Sequence, residues 1–174
     1  MNLSKLKNYA PQARLAFVSA MTDRAAFYGV TALKAEPVVD AGAVVMIGGR
    51  QHPRSVMQQR YELDKLVQQL GFSQTMEVLA YTWFNRLLAL RFMELQGYLD
   101  HGYRVLSHPE GKAIPEILEH AEHLSLPGLD PQRVIDLKLD GTKDSELYRL
   151  LLIAQCNALH ATLPMPGILN LRKL

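Results

Sequence analysis

The stretch "YTWFNRLLALRFMELQGYLDHGYRVL", residues 81–106, decides the fold because it joins a long run of helical character to a glycine-bounded loop. At about 100° per residue, the polar residues of this helix do not gather on one side, and apolar residues lie between them. We therefore expect protein to surround the helix on most sides. Arg91 can pair with Glu94 at i, i+3, whereas Arg86 has uncharged helical neighbours and needs a partner from another segment.

The adjacent pair Asn85 and Arg86 has two interpretations. A buried guanidinium is tolerated only when it is paired and hydrogen-bonded, so the favoured interpretation is a structural polar knot that fixes the packing of neighbouring segments. In the functional interpretation the pair opens to a cleft that receives a phosphate or a base edge, with Trp83 and Phe84 as stacking groups. Aromatic residues at helical spacing more often belong to a core, which favours the structural interpretation.

The rest of the sequence predicts a mainly α fold, a single helical domain over residues 1–162 with a small β hairpin near residues 36–50 and an irregular tail at 163–174. Proline, glycine and capping residues set the boundaries. The predicted helices run from Ser4 to Tyr9, Pro11 to Gly29, Pro53 to Gly71, Ser73 or Thr75 to Gly97, Ile114 to His123, Asp130-Pro131 onward, and Asp144 to His160. Valine-rich pairs around Asp40-Ala41-Gly42, closed by Gly48-Gly49, predict the hairpin, and Tyr103–Leu106 is expected to be extended.

The composition indicates a globular protein. The chain has 174 residues, 48% of them hydrophobic, which suffices for one packed core. No charge-free run of about 18 apolar residues and no signal-peptide pattern is present, so we expect a cytoplasmic protein without a membrane partner. The single cysteine, Cys156, excludes a disulfide framework or a cysteine-based zinc site within one chain, and a buried inert thiol is predicted.

The charges are unevenly distributed along the chain. Residues 1–60 carry eight Lys and Arg against three Asp and Glu, and residues 61–174 carry eleven against fourteen. A basic first third could meet phosphate, and its candidate nucleic-acid contacts are Arg50, Arg54 and Arg60. A normally solvated surface is the simpler interpretation, because five excess charges are few for a dedicated binder.

Residues suited to catalysis or metal binding do not form a recognisable motif. The segment "PEILEHAEH", residues 115–123, has a Glu-x-x-x-His spacing, but a carboxylate-bridged metal site would need a second Glu-x-x-His that the sequence lacks. A solvated acidic helix face is the better interpretation. The "IGGR" at 47–50 does not continue into a phosphate-loop motif, and no Gly-x-Ser-x-Gly is present. We assign no catalytic, cofactor-binding or metal residue.

Several segments resemble one family. The residues "YTWFNRLLALRFMELQGYLDHGYRVLS" and the earlier "APQARLAFVSAMTDRAAFYGVT" resemble the N-terminal region of adenine-specific DNA methyltransferases of the BREX and phage-growth-limitation (PglX) type. The resemblance spans about residues 5 to 163, with the elements Trp-Phe-Asn-Arg, Leu-Arg-Phe-Met-Glu and Gly-Tyr-Leu in order. The segment "AQCNALH" at 154–160 is similar to the family's next element.

The resemblance implies a non-catalytic part of a longer phage-defence enzyme. It places the S-adenosylmethionine-binding fold and the Asn-Pro-Pro-Tyr-type motif in a C-terminal methyltransferase domain, so this chain by itself should not methylate DNA. The chain departs from the family's pattern near Pro164, which suggests a fragment or an interrupted gene. Its expected partners are the missing catalytic domain, DNA and other BREX proteins. The alternatives are a free-standing nucleic-acid-binding or protein-interaction domain and, less favoured, a metal-dependent enzyme.

Overall fold

A computed structural model describes the backbone of residues 3–162 and the side chains of residue 9 and residues 11–159. This part of the chain is mainly α-helical with one small antiparallel sheet, as the sequence predicts. The helices are α1 (Leu3–Phe27), α2 (Val56–Leu70), α3 (Phe72–Gln96), α4 (Glu116–Glu119), α5 (Pro131–Asp140) and α6 (Asp144–Thr162). The strands are β1 (Val38–Asp40), β2 (Val44–Ile47) and β3 (Arg50–Pro53).

The chain divides into two compact units. The first unit ends at Phe84 and the second begins at Asn85, so α3 contributes residues to both. A single domain over residues 1–162 stays a prediction, and the tail predicted at 163–174 lies outside the described residues. In the part of the chain that is described, no helix has both the length and the apolar character needed to cross a membrane.

The sheet of the first unit has one strand more than the sequence predicts. Its order is β1-β2-β3, both pairings are antiparallel, and Val44 lies opposite Pro53 at the far end of the second pairing. The Gly48-Gly49 pair therefore turns the chain into β3 and does not close the β structure. The third strand, Arg-Gln-His-Pro, has no β-branched or aromatic residue, so its extended form depends on pairing with β2 and not on propensity.

Helix α1 is followed by a close approach of the chain to the sheet. Gly29, predicted as the stop of this helix, has φ of +72°, and a Cβ there would lie 2.7 Å from Cγ2 of Ile47. Only glycine accommodates both constraints without strain. The boundary predicted at Pro11 is wrong, because α1 continues through it and merges with the shorter helix expected at Ser4–Tyr9. Because proline has no N–H, the helix has one backbone hydrogen bond fewer at this position.

The other helices of the first unit pack against α1. The interior cluster contains Ala25 from α1, Val30 just after it, Leu63 from α2, and Met76 and Leu79 from α3. Gly71, with φ of +79°, ends α2 as predicted. The predicted start of α2 at Pro53 is wrong, since Pro53 belongs to β3 and the helix begins at Val56.

The second unit combines α5, α6 and a short irregular segment. Helix α5 starts after Asp130 as the sequence predicts, and Asp130 caps it by accepting a hydrogen bond from the Gln132 N–H at 3.0 Å. Gly141 ends the helix in the left-handed conformation. The helix predicted from Ile114 to His123 is reduced to α4 and a 3-10 turn at Ala121–His123. The backbone at 103–106 is not a strand.

Candidate functional site

Arg60, predicted as a nucleic-acid contact, is an interior residue. It is 1% exposed, and its Nε donates to the Tyr28 carbonyl at 2.7 Å while Nη2 donates to the Glu36 carbonyl at 3.1 Å. Nη1 forms an ion pair with Asp64, one helical turn further along α2. The guanidinium thus joins α2 to the segment after α1. The prediction that it lies on a basic surface is wrong, because no phosphate can reach it in this arrangement.

The two other predicted contacts, Arg50 and Arg54, are exposed. The Arg54 guanidinium donates to the Asp40 carboxylate at 2.8 Å and to the Gly42 carbonyl at 2.7 Å, so it holds the β1–β2 turn. The nearby carboxylate offsets the positive charge of Arg54. Arg50 stands at the start of β3, and its guanidinium lies over a phenylalanine ring.

That ring belongs to Phe27, which has a second arginine beside it. The Cζ atoms of Arg24 and Arg50 lie 5.2 and 5.5 Å from the ring centroid, and Phe27 is 43% exposed. Arg24 also donates a hydrogen bond to the Tyr28 hydroxyl at 2.6 Å. We call Arg24, Phe27 and Arg50 the cation–aromatic cluster. The sequence analysis missed Arg24, although its i, i+3 spacing to Phe27 was a usable signal.

The predicted polar knot separates into a buried and a partly buried residue. Arg86 is 7% exposed, whereas Asn85 is half-buried. Burial lowers the pKa of the Arg86 guanidinium below its ordinary value, and the Cys156 thiol on α6 acts weakly in the opposite direction. Burial also raises the pKa of Cys156 to about 11, so this thiol is protonated at neutral pH. The predicted burial of this cysteine is confirmed, and the structural role of the knot stays a prediction.

We expect Arg86→Ala to lower the free energy of unfolding by about 3 kcal/mol, the cost of disrupting a buried charged residue. Arg149→Ala provides the matched control, since Arg149 is exposed on α6 of the same unit. Urea unfolding followed by circular dichroism measures both. Equal midpoints for the two variants would contradict a structural role for Arg86.

A second polar node surrounds Glu94, whose side chain is fully buried. Its Oε2 accepts hydrogen bonds from the N–H groups of Val105 and Leu106, each at 2.8 Å. Its Oε1 accepts from the Ser107 hydroxyl at 3.1 Å and forms the predicted ion pair with Arg91. One carboxylate therefore holds the segment 105–107 against α3. The i, i+3 pair was visible in the sequence, but its backbone partners were not.

Two further side chains hold the same segment in the second unit. Glu116 accepts a hydrogen bond from the Arg104 N–H at 2.8 Å, and the Tyr148 hydroxyl donates to the Val105 carbonyl at 3.1 Å. Residues 104–107 are not paired in a sheet, so side chains of α3, α4 and α6, together with the backbone N–H groups of Glu116 and Ile117, satisfy their backbone groups. Glu116 is thereby engaged in structure and not presented to a metal.

The acidic and histidine residues of 115–123 have similar structural partners. Glu119 accepts from Lys112 at 3.1 Å, which holds the pKa of its carboxyl below the usual range, and Glu122 pairs with Lys138. His120 stacks on the ring of Tyr103 at 4.1 Å between centroids. Within the described ranges no group of three or more potential metal ligands comes together.

The outer side of α3 is apolar, contrary to the expectation that protein surrounds this helix. In the second unit Leu88, Phe92 and Leu95 are 58, 56 and 53% exposed, and Tyr98 just beyond the helix is 59% exposed. We call these four residues the α3 stripe. They follow one another at spacings of four, three and three residues, which places the three helical members on one side. The centroids of the Phe92 and Tyr98 rings are 6.2 Å apart.

The first unit has its own apolar surface, a groove between α1 and α3 of about 420 Å3. The rings of Phe17 and Phe84 pack edge to face there, with 5.8 Å between their centroids. Tyr81 lies beside them and is 65% exposed. An ion pair between Arg14 and Glu77, 2.8 Å long, lies at its rim. Phe84 is thus a partly exposed packing residue and not part of a closed core.

One known protein matches this chain over nearly its whole length, and another over half of it. Adenine-specific methyltransferase BrxX of Escherichia coli O9:H4 (strain HS) is 41% identical over 172 residues, and the match covers 94% of this chain. The resemblance to the N-terminal region of BREX adenine-specific methyltransferases of the PglX type is confirmed. Adenine-specific methyltransferase PglX of Lacticaseibacillus casei (strain Zhang) is 39% identical over 95 residues, and the match covers 51% of this chain. No protein-family model matches the chain.

The chain is much shorter than these methyltransferases. It spans 14% of the length of BrxX and 8% of the length of PglX in the two alignments. Cofactors of the nucleotide type bind at the carboxyl ends of parallel strands in doubly wound sheets. The sheet in the described residues has three short antiparallel strands, so these residues do not fit an S-adenosylmethionine site of that kind. No methyl-transfer step is assigned to them.

Proposed function

We propose that this chain is a non-catalytic N-terminal part of a BREX-type adenine-specific DNA methyltransferase that acts in phage defence. The observation that supports it is 41% identity over 94% of the chain, within a protein of which the match spans 14%. In this proposal an S-adenosylmethionine-dependent catalytic domain lies in the rest of the enzyme. The helical region packs against that domain and assists its contacts with DNA or other BREX proteins.

The described contacts support a rigid supporting role. On the inner side of α3 in the second unit, Arg86 is buried and Glu94 binds the segment 105–107 through two backbone N–H groups. Buried polar groups of this kind fix one arrangement of the elements that they join, because a shifted arrangement leaves them without partners. The region therefore presents a fixed outer surface to a partner.

The test uses BrxX of the same E. coli strain in three forms: intact, without the 172 matching residues, and with this chain in their place. The measurement is the transfer of labelled methyl groups from S-adenosylmethionine to adenine in DNA. We expect the deletion to reduce the rate by at least about tenfold, or about 1.4 kcal/mol in transition-state stabilisation, and the replacement to restore most of it. This chain alone should transfer none. Full activity of the deleted form would contradict the proposal.

A nucleic-acid-binding function is the second candidate, and the cation–aromatic cluster favours it. Two exposed guanidinium groups lie within 5.5 Å of an exposed ring centroid. Proteins that bind single strands combine cationic side chains along the backbone with aromatic rings on which bases stack. Arg50 supplies one of those charges here, Arg24 replaces Arg60, and Arg54 contributes less because Asp40 neutralises it.

Fluorescence anisotropy with a labelled single-stranded oligonucleotide tests this candidate. We expect affinity to fall between 50 and 200 mM salt, with a slope of log K against log salt near −0.7 for each phosphate neutralised. Arg24→Gln combined with Arg50→Gln should make the slope shallower by about 1.4, whereas Arg54→Gln serves as the control with a smaller change. Binding that is absent at all salt concentrations, or unchanged in the double variant, would remove the candidate.

A further inference from the structure

In the second unit, helix α3 has charged residues on its buried side and large apolar residues on its exposed side. Its inner row, Arg86, Leu90 and Glu94, is buried and contains two charged residues. Its outer row, Leu88, Phe92 and Leu95, consists of large apolar residues that are all more than half exposed. A helix on a solvated surface has the opposite arrangement, with its charged residues outside. The outer row therefore has the composition of a face that another element covers.

We propose that the α3 stripe is the docking face for the part of the methyltransferase chain that lies outside these 174 residues. This inference rests on the proposed function and identifies the surface through which the helical region would join the rest of the enzyme. The length of BrxX supports this occupant, since the match spans 14% of it and leaves a large remaining chain to provide the contact.

The area of the stripe favours a covalently linked occupant over a second copy of this chain. Four large side chains at little more than half exposure present roughly 400 Å2 of apolar surface. A stable complex between separate proteins usually buries about 800 Å2 on each partner. A tethered partner needs less area, because the connecting chain keeps it at an effective concentration of about a millimolar.

Cysteine labelling can report the coverage of this face. The native Cys156 is 2% exposed and its pKa is raised to about 11, so it reacts slowly with a maleimide at pH 7.5. Leu95→Cys places a reporter on the stripe. Leu139→Cys is the matched control, a leucine 81% exposed on α5 of the same unit. Both changes alter exposed positions, so both variants should fold.

The labelling rates are compared between the free chain and BrxX that carries this chain in place of its matching residues. We expect Leu95→Cys to react at least about tenfold more slowly in the joined protein, while Leu139→Cys changes by less than about twofold. Adding Phe92→Glu to the Leu95→Cys joined protein should return its rate toward that of the free chain, because a charge on the stripe opposes its burial.

The other outcomes of the labelling experiment also decide whether the stripe is a docking face. Equal rates for Leu95→Cys in the two proteins would overturn the docking face, and methyl transfer by the same joined protein would leave the proposed function standing. Protection without methyl transfer would support the docking face and contradict the part of the proposed function in which this region assists the catalytic domain. Protection already in the free chain, together with dimeric sedimentation that Phe92→Glu abolishes, would assign the stripe to a second copy and overturn the inference.

Discussion

Replacing Arg60 with methionine is expected to lower the free energy of unfolding by about 3 kcal/mol, a larger effect than any exposed arginine of the chain should give. Methionine keeps most of the volume but removes the hydrogen bonds to the Tyr28 and Glu36 carbonyls and the ion pair with Asp64. The methionine side chain offers those acceptors no donor in return. Asp64, whose side chain is 30% exposed, can be partly hydrated, which places the expected cost near the lower end for a broken buried pair.

Urea unfolding followed by the fluorescence of Trp83, the single tryptophan, measures this change. With a slope near 2 kcal/mol per molar urea, the midpoint should fall by about 1.5 M. Arg54→Met is the control, because Arg54 has a comparable ion pair with Asp40 but a side chain that is 55% exposed. Its cost should be below about 1 kcal/mol. Similar midpoints for the two variants would show that the Arg60 contacts contribute little.

The double variant Arg60→Met with Asp64→Leu separates the lost pair from the lost carbonyl contacts. If the uncompensated carboxylate carries part of the cost, removing it should recover part of the stability lost in Arg60→Met. The interaction free energy from this double-mutant cycle is expected to be about 1 kcal/mol or more. A further loss that simply adds to the first would place the cost in the two carbonyls.

For Arg60, its residue type and its position in the helical pattern led to different predictions of its exposure. Its charge suggested a surface cluster with Arg50 and Arg54. Its position on α2 is four residues after Val56 and three before Leu63, which is the buried face of that helix. Asp64 at i+4 was the second signal, because a buried arginine needs a partner. Periodicity carried the correct information, and only the backbone carbonyls that it contacts were inaccessible from sequence.

Helix α3 was predicted correctly as an element and incorrectly in its surroundings. Its end before Gly97 follows from the glycine. Apolar residues on both of its sides removed the polar stripe by which sequence analysis recognises a solvated face. That pattern has two solutions, a helix surrounded by protein and a helix with an uncovered apolar face. The exposure of Leu88 and Phe92 selects the second in the described residues.

The elements that the sequence predicted best are those with local stop and start signals. Asp130-Pro131 starts α5, and Gly71 and Gly97 follow the ends of α2 and α3, because a cap, a proline or a glycine acts within one turn. The strand β3 and the segment 104–107 were missed or misassigned. Both obtain their backbone partners from other elements, β3 from β2 across the Gly48-Gly49 turn and the segment from Glu94 on α3. Such pairing depends on the partner and does not appear in the propensity of the segment itself.

Glu94→Gln is expected to cost about 3 kcal/mol, although the two side chains are nearly equal in shape. The carboxylate accepts from two backbone N–H groups on one oxygen and from Ser107 and Arg91 on the other. A glutamine has one acceptor oxygen and one NH2 group. With its amide oxygen towards the two N–H groups, its NH2 group faces the Arg91 guanidinium, which cannot accept a hydrogen bond; turned the other way, the NH2 group faces the two N–H groups. In both orientations the ion pair with Arg91 is lost.

Amide hydrogen exchange at Val105 and Leu106 measures the effect of Glu94→Gln at the two N–H groups that the carboxylate binds. A loss of about 3 kcal/mol should speed their exchange by roughly two orders of magnitude, since 1.4 kcal/mol corresponds to a factor of ten. Glu116→Gln is the matched control, because Glu116 accepts one backbone bond, from the Arg104 N–H, and the amide oxygen of glutamine can replace it. Its effect should stay below about 1 kcal/mol. Unchanged exchange in Glu94→Gln would mean that Tyr148 and the neighbouring backbone contacts hold the segment without the carboxylate.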